Sequence, residues 1–121
     1  MAELPKEYVP YFENDRRIFE ENVRPRVTAE LVEEHRRSPL GRHGDALKVV
    51  LRYLRRNRLA LDGKEVVVCT VPHREWKIGF LSGVRGGSVR IDESRAFGSI
   101  GEAYHAIFLR RLRAHGLWSG E

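Results

Sequence analysis

Apolar positions recur along this chain with two different periods, and the change of period divides it. Leu47, Val50, Leu51 and Leu54 recur at spacings of three, four and seven, which predicts one buried stripe on a helix capped by Asp45. Lys48, Arg52 and Arg55 then fall on the opposite face of that helix. Earlier, Asn14 is placed to cap a first helix, Asp15 suits its positive end, and Pro25 stops it. Thr28 is the next candidate cap, with Glu30 in the first turn. Leu31, Val32 and His35 mark the inner side of a short helix that ends before Pro39. Pro39, Gly41 and Gly44 make residues 38–44 a loop.

Past Asn57 the pattern shifts to β-branched and alternating. Lys64 to Val71 reads as a strand ended by Pro72, Trp76 to Val84 as a second, and Ser88 to Asp92 as a third with Val89 and Ile91 on one face. Arg85-Gly86-Gly87 supplies the turn between the last two, because glycine tolerates positive φ. Helical periodicity then returns. Ser99-Ile100-Gly101-Glu102 has the form of a capping box in which Glu102 reaches back to the Ser99 amide. Ile100, Tyr104, Ile107, Phe108 and Leu112 form the predicted apolar stripe, Arg110, Arg111 and Arg113 suit the negative end, and Gly116 is a stop. The fold class expected is α+β: N-terminal helices, a three-stranded antiparallel meander and a C-terminal helix in a single domain over residues 14–121. Residues 1–13 hold Pro5 and Pro10 among Tyr8, Val9, Tyr11 and Phe12, and read as an extended arm that packs on its own domain or on a partner.

Length and composition narrow the function classes. At 121 residues, with 41% apolar side chains, the chain suits one domain with its own core. Cys69 is the sole cysteine, which excludes a disulfide scaffold and fits a reducing cytoplasm. No apolar run, Val66 to Cys69 included, exceeds four residues, too short to span a membrane, and residues 1–20 are charged throughout, unlike a secretory signal. The net charge of +5 is uneven: residues 1–34 carry about −4 and residues 35–121 about +9. Arg supplies 18 of the 22 basic residues, a bias that suits planar recognition of carboxylate or phosphate but that a GC-rich genome also produces.

No catalytic constellation emerges from spacing. The glycines at 83, 86 and 87 sit in a hairpin, not ahead of a helix, so they form no phosphate loop. His35, His43, His73, His105 and His115 lack helical pairing and a nearby Cys pair, so no metal site is expected. Cys69 reads as a small buried strand residue, His105 as a helix residue beside the apolar stripe, and Trp76 as either core or an interface anchor.

Two stretches carry a family resemblance. One is Val32-Glu33-Glu34-His35 with Ser38-Pro39-Leu40-Gly41; the other runs from Arg74-Glu75-Trp76 to Ala103-Tyr104-His105-Ala106-Ile107-Phe108-Leu109-Arg110-Arg111. Together, over residues 32–113, they resemble the small (alpha) subunit of N,N-dimethylformamidase. The resemblance implies a hetero-oligomeric hydrolase that splits N,N-dimethylformamide into dimethylamine and formate. It implies that iron and the catalytic side chains belong to a large partner subunit. This chain would then hold no catalytic residue, metal or cofactor of its own and would pack against that partner. The interface residues expected on this basis are Tyr8, Tyr11, Phe12, Trp76, His105, Arg110 and Arg111. A rival reading takes the three strands and helix as an integrase-type nucleic-acid module, with Arg74, Trp76, Lys77, Arg85 and Arg90 toward DNA; the acidic first third opposes it.

Overall fold

A computed structural model of the chain describes residues 16–57, 64–83 and 86–120. The predicted arm, with Tyr8, Tyr11 and Phe12, and the Asn14 cap lie outside them. The chain is described from a helical segment, α1 (residues 16–26), which does not simply stop at Pro25 as expected. It widens into a π-helical turn over Phe19–Val23 and tightens into a 3-10 turn over Arg24–Arg26. Pro25 sits inside that last turn, where its missing N–H costs little.

Helix α2 is Ala29–Arg37, and Thr28 caps it by accepting from the Leu31 amide at 3.2 Å, as expected. Helix α3 is Asp45–Arg56. Here the expected cap is corrected: Gly44 occupies the cap position and Asp45 the first turn. The Gly44 N–H instead donates to Glu34 Oε2 at 2.7 Å, which ties the start of α3 to α2. Leu47, Val50 and Leu54 are buried, with Leu51 packed beside them, and Lys48, Arg52 and Arg55 face outward as the pattern implied.

The strands are β1 (Glu65–Val71), β2 (Glu75–Phe80) and β3 (Arg90–Ile91), paired antiparallel in the order β1-β2-β3. The meander is as expected, but β2 and β3 are shorter than the apolar pattern suggested. Only Gly79 and Phe80 pair with β3. The first hairpin turns tightly at Pro72-His73, where the Arg74 N–H donates to the Val71 carbonyl at 3.0 Å and His73 takes φ +61. That is the geometry of a type II turn with Pro at its second position and a non-glycine residue in the left-handed one. Gly86 also has positive φ, as its turn assignment required. Cys69 is exposed on β1, not buried: the strand lies at the sheet edge.

Helix α4 is Ile100–Ala114. Ser99 Oγ accepts from the Glu102 amide at 3.2 Å, but Glu102 reaches back to the amide of Gly98, not to that of Ser99. At the other end Gly116 takes φ +68. Its amide bonds the Arg113 carbonyl, and the Leu117 amide bonds the Leu112 carbonyl. This is a Schellman closure, with Leu117 buried against the core.

Helix α4 is the shared wall of two cores. Phe108, Leu109 and Leu112 join Val23, Leu31, Val32, Leu47, Val50 and Leu54 from α1–α3. Ala103 and Ile107 meet Ile78, Phe80 and Phe97 from the sheet side. Because the helix is buried on two sides, its apolar surface is not one stripe. Ile100 and Tyr104, expected inside, lie between those sides and are exposed, while Ala103, His105 and Leu109 are buried. Among the described residues no helix is long and apolar enough to cross a membrane.

Candidate functional site

Where α2, the loop after it and α4 come together, His35 and His43 converge with the distant His105. His35 lies in the last turn of α2 on its buried side, and His105 lies one turn into α4. They are 4% and 9% exposed, and their Nδ1 atoms are 2.9 Å apart. One of the two nitrogens must carry the proton of that bond, so the pair cannot be doubly charged. Phe108 stacks on His35 at 4.0 Å between centroids, and the His43 ring lies parallel to His35 at 5.8 Å. His43 Nε2 donates to the Ser38 carbonyl at 2.7 Å, which folds the loop back over α2. Pro39 of this loop packs against Gly101, where an added Cβ would meet Pro39 Cγ at 3.1 Å.

Burial dominates the electrostatics here. It pushes His35 down to about 4, with further lowering from His105 and His43. Burial also lowers His105. Nearby Arg36 adds to that, and Glu33 opposes it. At neutral pH both rings are uncharged. They join two helices and leave a cavity of about 390 Å³ beside them, lined by His35, His43, Leu40, Tyr104 and Arg111 among others. Among the described residues no three His, Cys, Asp or Glu side chains are grouped so as to hold a metal ion.

Spacing along the chain did not reveal this cluster. Helical pairing joins histidines three or four residues apart, whereas His35 and His105 are 70 residues apart. The signal available was indirect. Both histidines belong to the two stretches that carried the resemblance, and those stretches meet in space at this bond.

The remaining expected site residues are distributed around the sheet. Trp76 is half-buried on β2, opposite Cys69, and its backbone makes a two-bond bridge with Phe97 at 3.0 and 2.8 Å. Its ring packs against the sheet-side core. The Arg110 guanidinium lies 4.8 Å from the centre of the Phe80 ring, and Arg90 lies at 4.4 Å from the same ring. Arg111 Nε donates to Glu65 Oε2 at 2.9 Å, with side chains 24% and 11% exposed, so it joins α4 to β1. In the nucleic-acid reading, Lys77 is bonded to Glu93 and Arg90 covers Phe80, whereas Arg74 is exposed in the hairpin turn. Arg85 lies outside the described residues.

The family model of the N,N-dimethylformamidase alpha subunit matches residues 10–120. The chain belongs to the N,N-dimethylformamidase alpha-subunit family. That match covers both stretches at the histidine bond, the sheet between them and the Schellman closure after α4. It makes the chain a subunit of a hydrolase assembly and lends no support to the nucleic-acid reading. No curated protein matches the chain significantly.

Proposed function

We propose that this chain is the accessory small subunit of an N,N-dimethylformamidase-like hydrolase and packs against a large catalytic subunit in the cytoplasm. The observation that carries the reading is the alpha-subunit match over residues 10–120. In the overall reaction the hydroxyl of water goes to the formyl carbon, its proton to nitrogen, and the C–N bond breaks to give formate and dimethylamine. Iron held by the large subunit would polarise the amide carbonyl. This chain's contribution is structural: a rigid surface for the partner, set by helices locked to each other through His35 and His105.

The sheet supplies a surface of the right character. Side chains alternate across it, and α4 takes the face bearing Ile78 and Phe80. The opposite face centres on Gly79, where an added Cβ would meet Val89 at 2.7 Å, Val68 at 2.9 Å and Val66 at 3.4 Å. Val89 is 42% exposed there. A valine cluster in which Val66 and Val68 are half-buried and Val89 is exposed, beside a sheet edge, suits burial by a second subunit.

Co-expression with a candidate large amidohydrolase subunit from the same genome tests the reading. We expect one co-eluting complex that releases dimethylamine from N,N-dimethylformamide, and no turnover by the purified 14.0 kDa chain. A chain that elutes alone and hydrolyses the amide by itself would overturn it.

A further inference from the structure

A second cavity, of about 480 Å³, lies between α1 and α3, away from the histidine pair. Ile18, Val49 and Tyr53 give it apolar walls, and Arg26, Arg52 and Arg56 give it a cationic rim. No acidic side chain lines it among the described residues. Arg26 donates to the Asn22 carbonyl, whereas no ion pair is described for Arg52 or Arg56. The sequence explains the arrangement. Val49 and Tyr53 are four apart on α3, and so are Arg52 and Arg56. The helix therefore presents an apolar row beside a cationic row on neighbouring strips of its surface.

Guanidinium groups on a rim with no carboxylate among the described lining residues leave a surface that anions complete. The apolar walls decide which anions. A nucleic-acid backbone would engage the rim through its phosphates but offer the apolar walls only polar sugars. A helix or extended segment bearing Asp or Glu beside one or two large aliphatic side chains satisfies both rows at once.

We infer that this groove receives an acidic amphipathic segment of the large partner subunit. The inference rests on the small-subunit reading above and adds to it where, and through what chemistry, the partner docks. An apolar side chain of that segment fills the cavity, and its carboxylates take the fork-shaped hydrogen bonds of Arg52 and Arg56.

The test uses the co-expressed full-length pair. Arg52→Glu combined with Arg56→Glu should weaken capture of the large subunit by about tenfold or more, since the rim then repels the acidic segment. Arg52→Lys with Arg56→Lys should keep most of the capture, and circular dichroism should show both variants folded. A photo-crosslinking residue at the exposed Asn22 should join to a peptide of the large subunit rich in Asp and Glu. Wild type capturing the large subunit while the Glu variant captures it equally would overturn the groove and leave the subunit reading standing. A crosslink to a basic or neutral peptide, or to nucleic acid, would also overturn it. Wild type failing to capture any large subunit would overturn both.

Discussion

At the scale of single residues, the unusual groups are histidines placed where histidine is not the default choice. His73 occupies a left-handed turn position that glycine or asparagine fills more cheaply. His35 and His105 occupy core positions that aliphatic side chains usually take. Their bond partners one nitrogen of each ring, while His105 Nε2 stays buried without a partner among the described residues, which is costly. The cost returns in acid. His35 titrates near 4 in the folded chain against 6.5 when exposed, so on acidification the unfolded chain takes up the proton first. Stability from this group is complete above its unfolded value and drains away as pH falls from there toward its folded one. His105, lowered for the same reason, acts in the same direction. His43, Arg36 and Glu33 are the other charged or titratable groups acting on the pair. The thermal midpoint should therefore fall by several degrees between about pH 7 and pH 5. In His35→Phe, which keeps the stack on Phe108, that slope should be shallower, although the midpoint at neutral pH is lower because His105 loses its partner. Equal slopes in scanning calorimetry would show that His35 does not govern the acid response.

At the scale of elements, the joint between α4 and the sheet depends on more than apolar packing. Ala103 and Ile107 supply the contact with Ile78 and Phe80, but these residues are few, and β3 contributes only two paired residues. The Arg111–Glu65 bond closes the joint at β1. Because Glu65 is nearly buried, removing its partner leaves a carboxylate with little water to replace it. Arg111→Ala should cost about 1–3 kcal/mol in urea unfolding, Arg111→Lys less, and the Arg111→Ala/Glu65→Ala pair less than the sum of the two single losses. Additive losses would show that the two side chains act separately. The helix itself needs no such help, since Ser99 and the Gly116 closure satisfy its ends locally.

At the scale of the whole molecule, α4 is the element that both cores share, and the chain's exposed surfaces follow from it. The helices cover one side of α4, the sheet covers another, and the far face of the sheet is left with Val66, Val68 and Val89 around Gly79. If that face is where a partner sits, Val89→Asp should leave stability within about 0.5 kcal/mol of wild type, as exposed substitutions usually do. The same change should weaken the complex by about tenfold in a co-elution titration. An unchanged complex would move the interface elsewhere on the surface.

Local physics was enough to determine much of this protein from its sequence. The period of apolar residues distinguished helices from strands, and Thr28, Ser99 and Gly116 marked their ends because capping bonds span only a few residues. The motifs around His35 and His105 pointed to the family that the match over residues 10–120 bears out. What depends on contacts between distant residues was decided only in three dimensions. Ile100 and Tyr104 share the periodicity of buried positions but are exposed, because burial of α4 depends on which elements reach each of its sides. Cys69 is apolar enough for a core but stands on an edge strand, and strand order is not written in any one strand. The bond between His35 and His105 spans 70 residues, a separation at which spacing along the chain carries no information. Only the packing of α2 against α4 brings the two rings together.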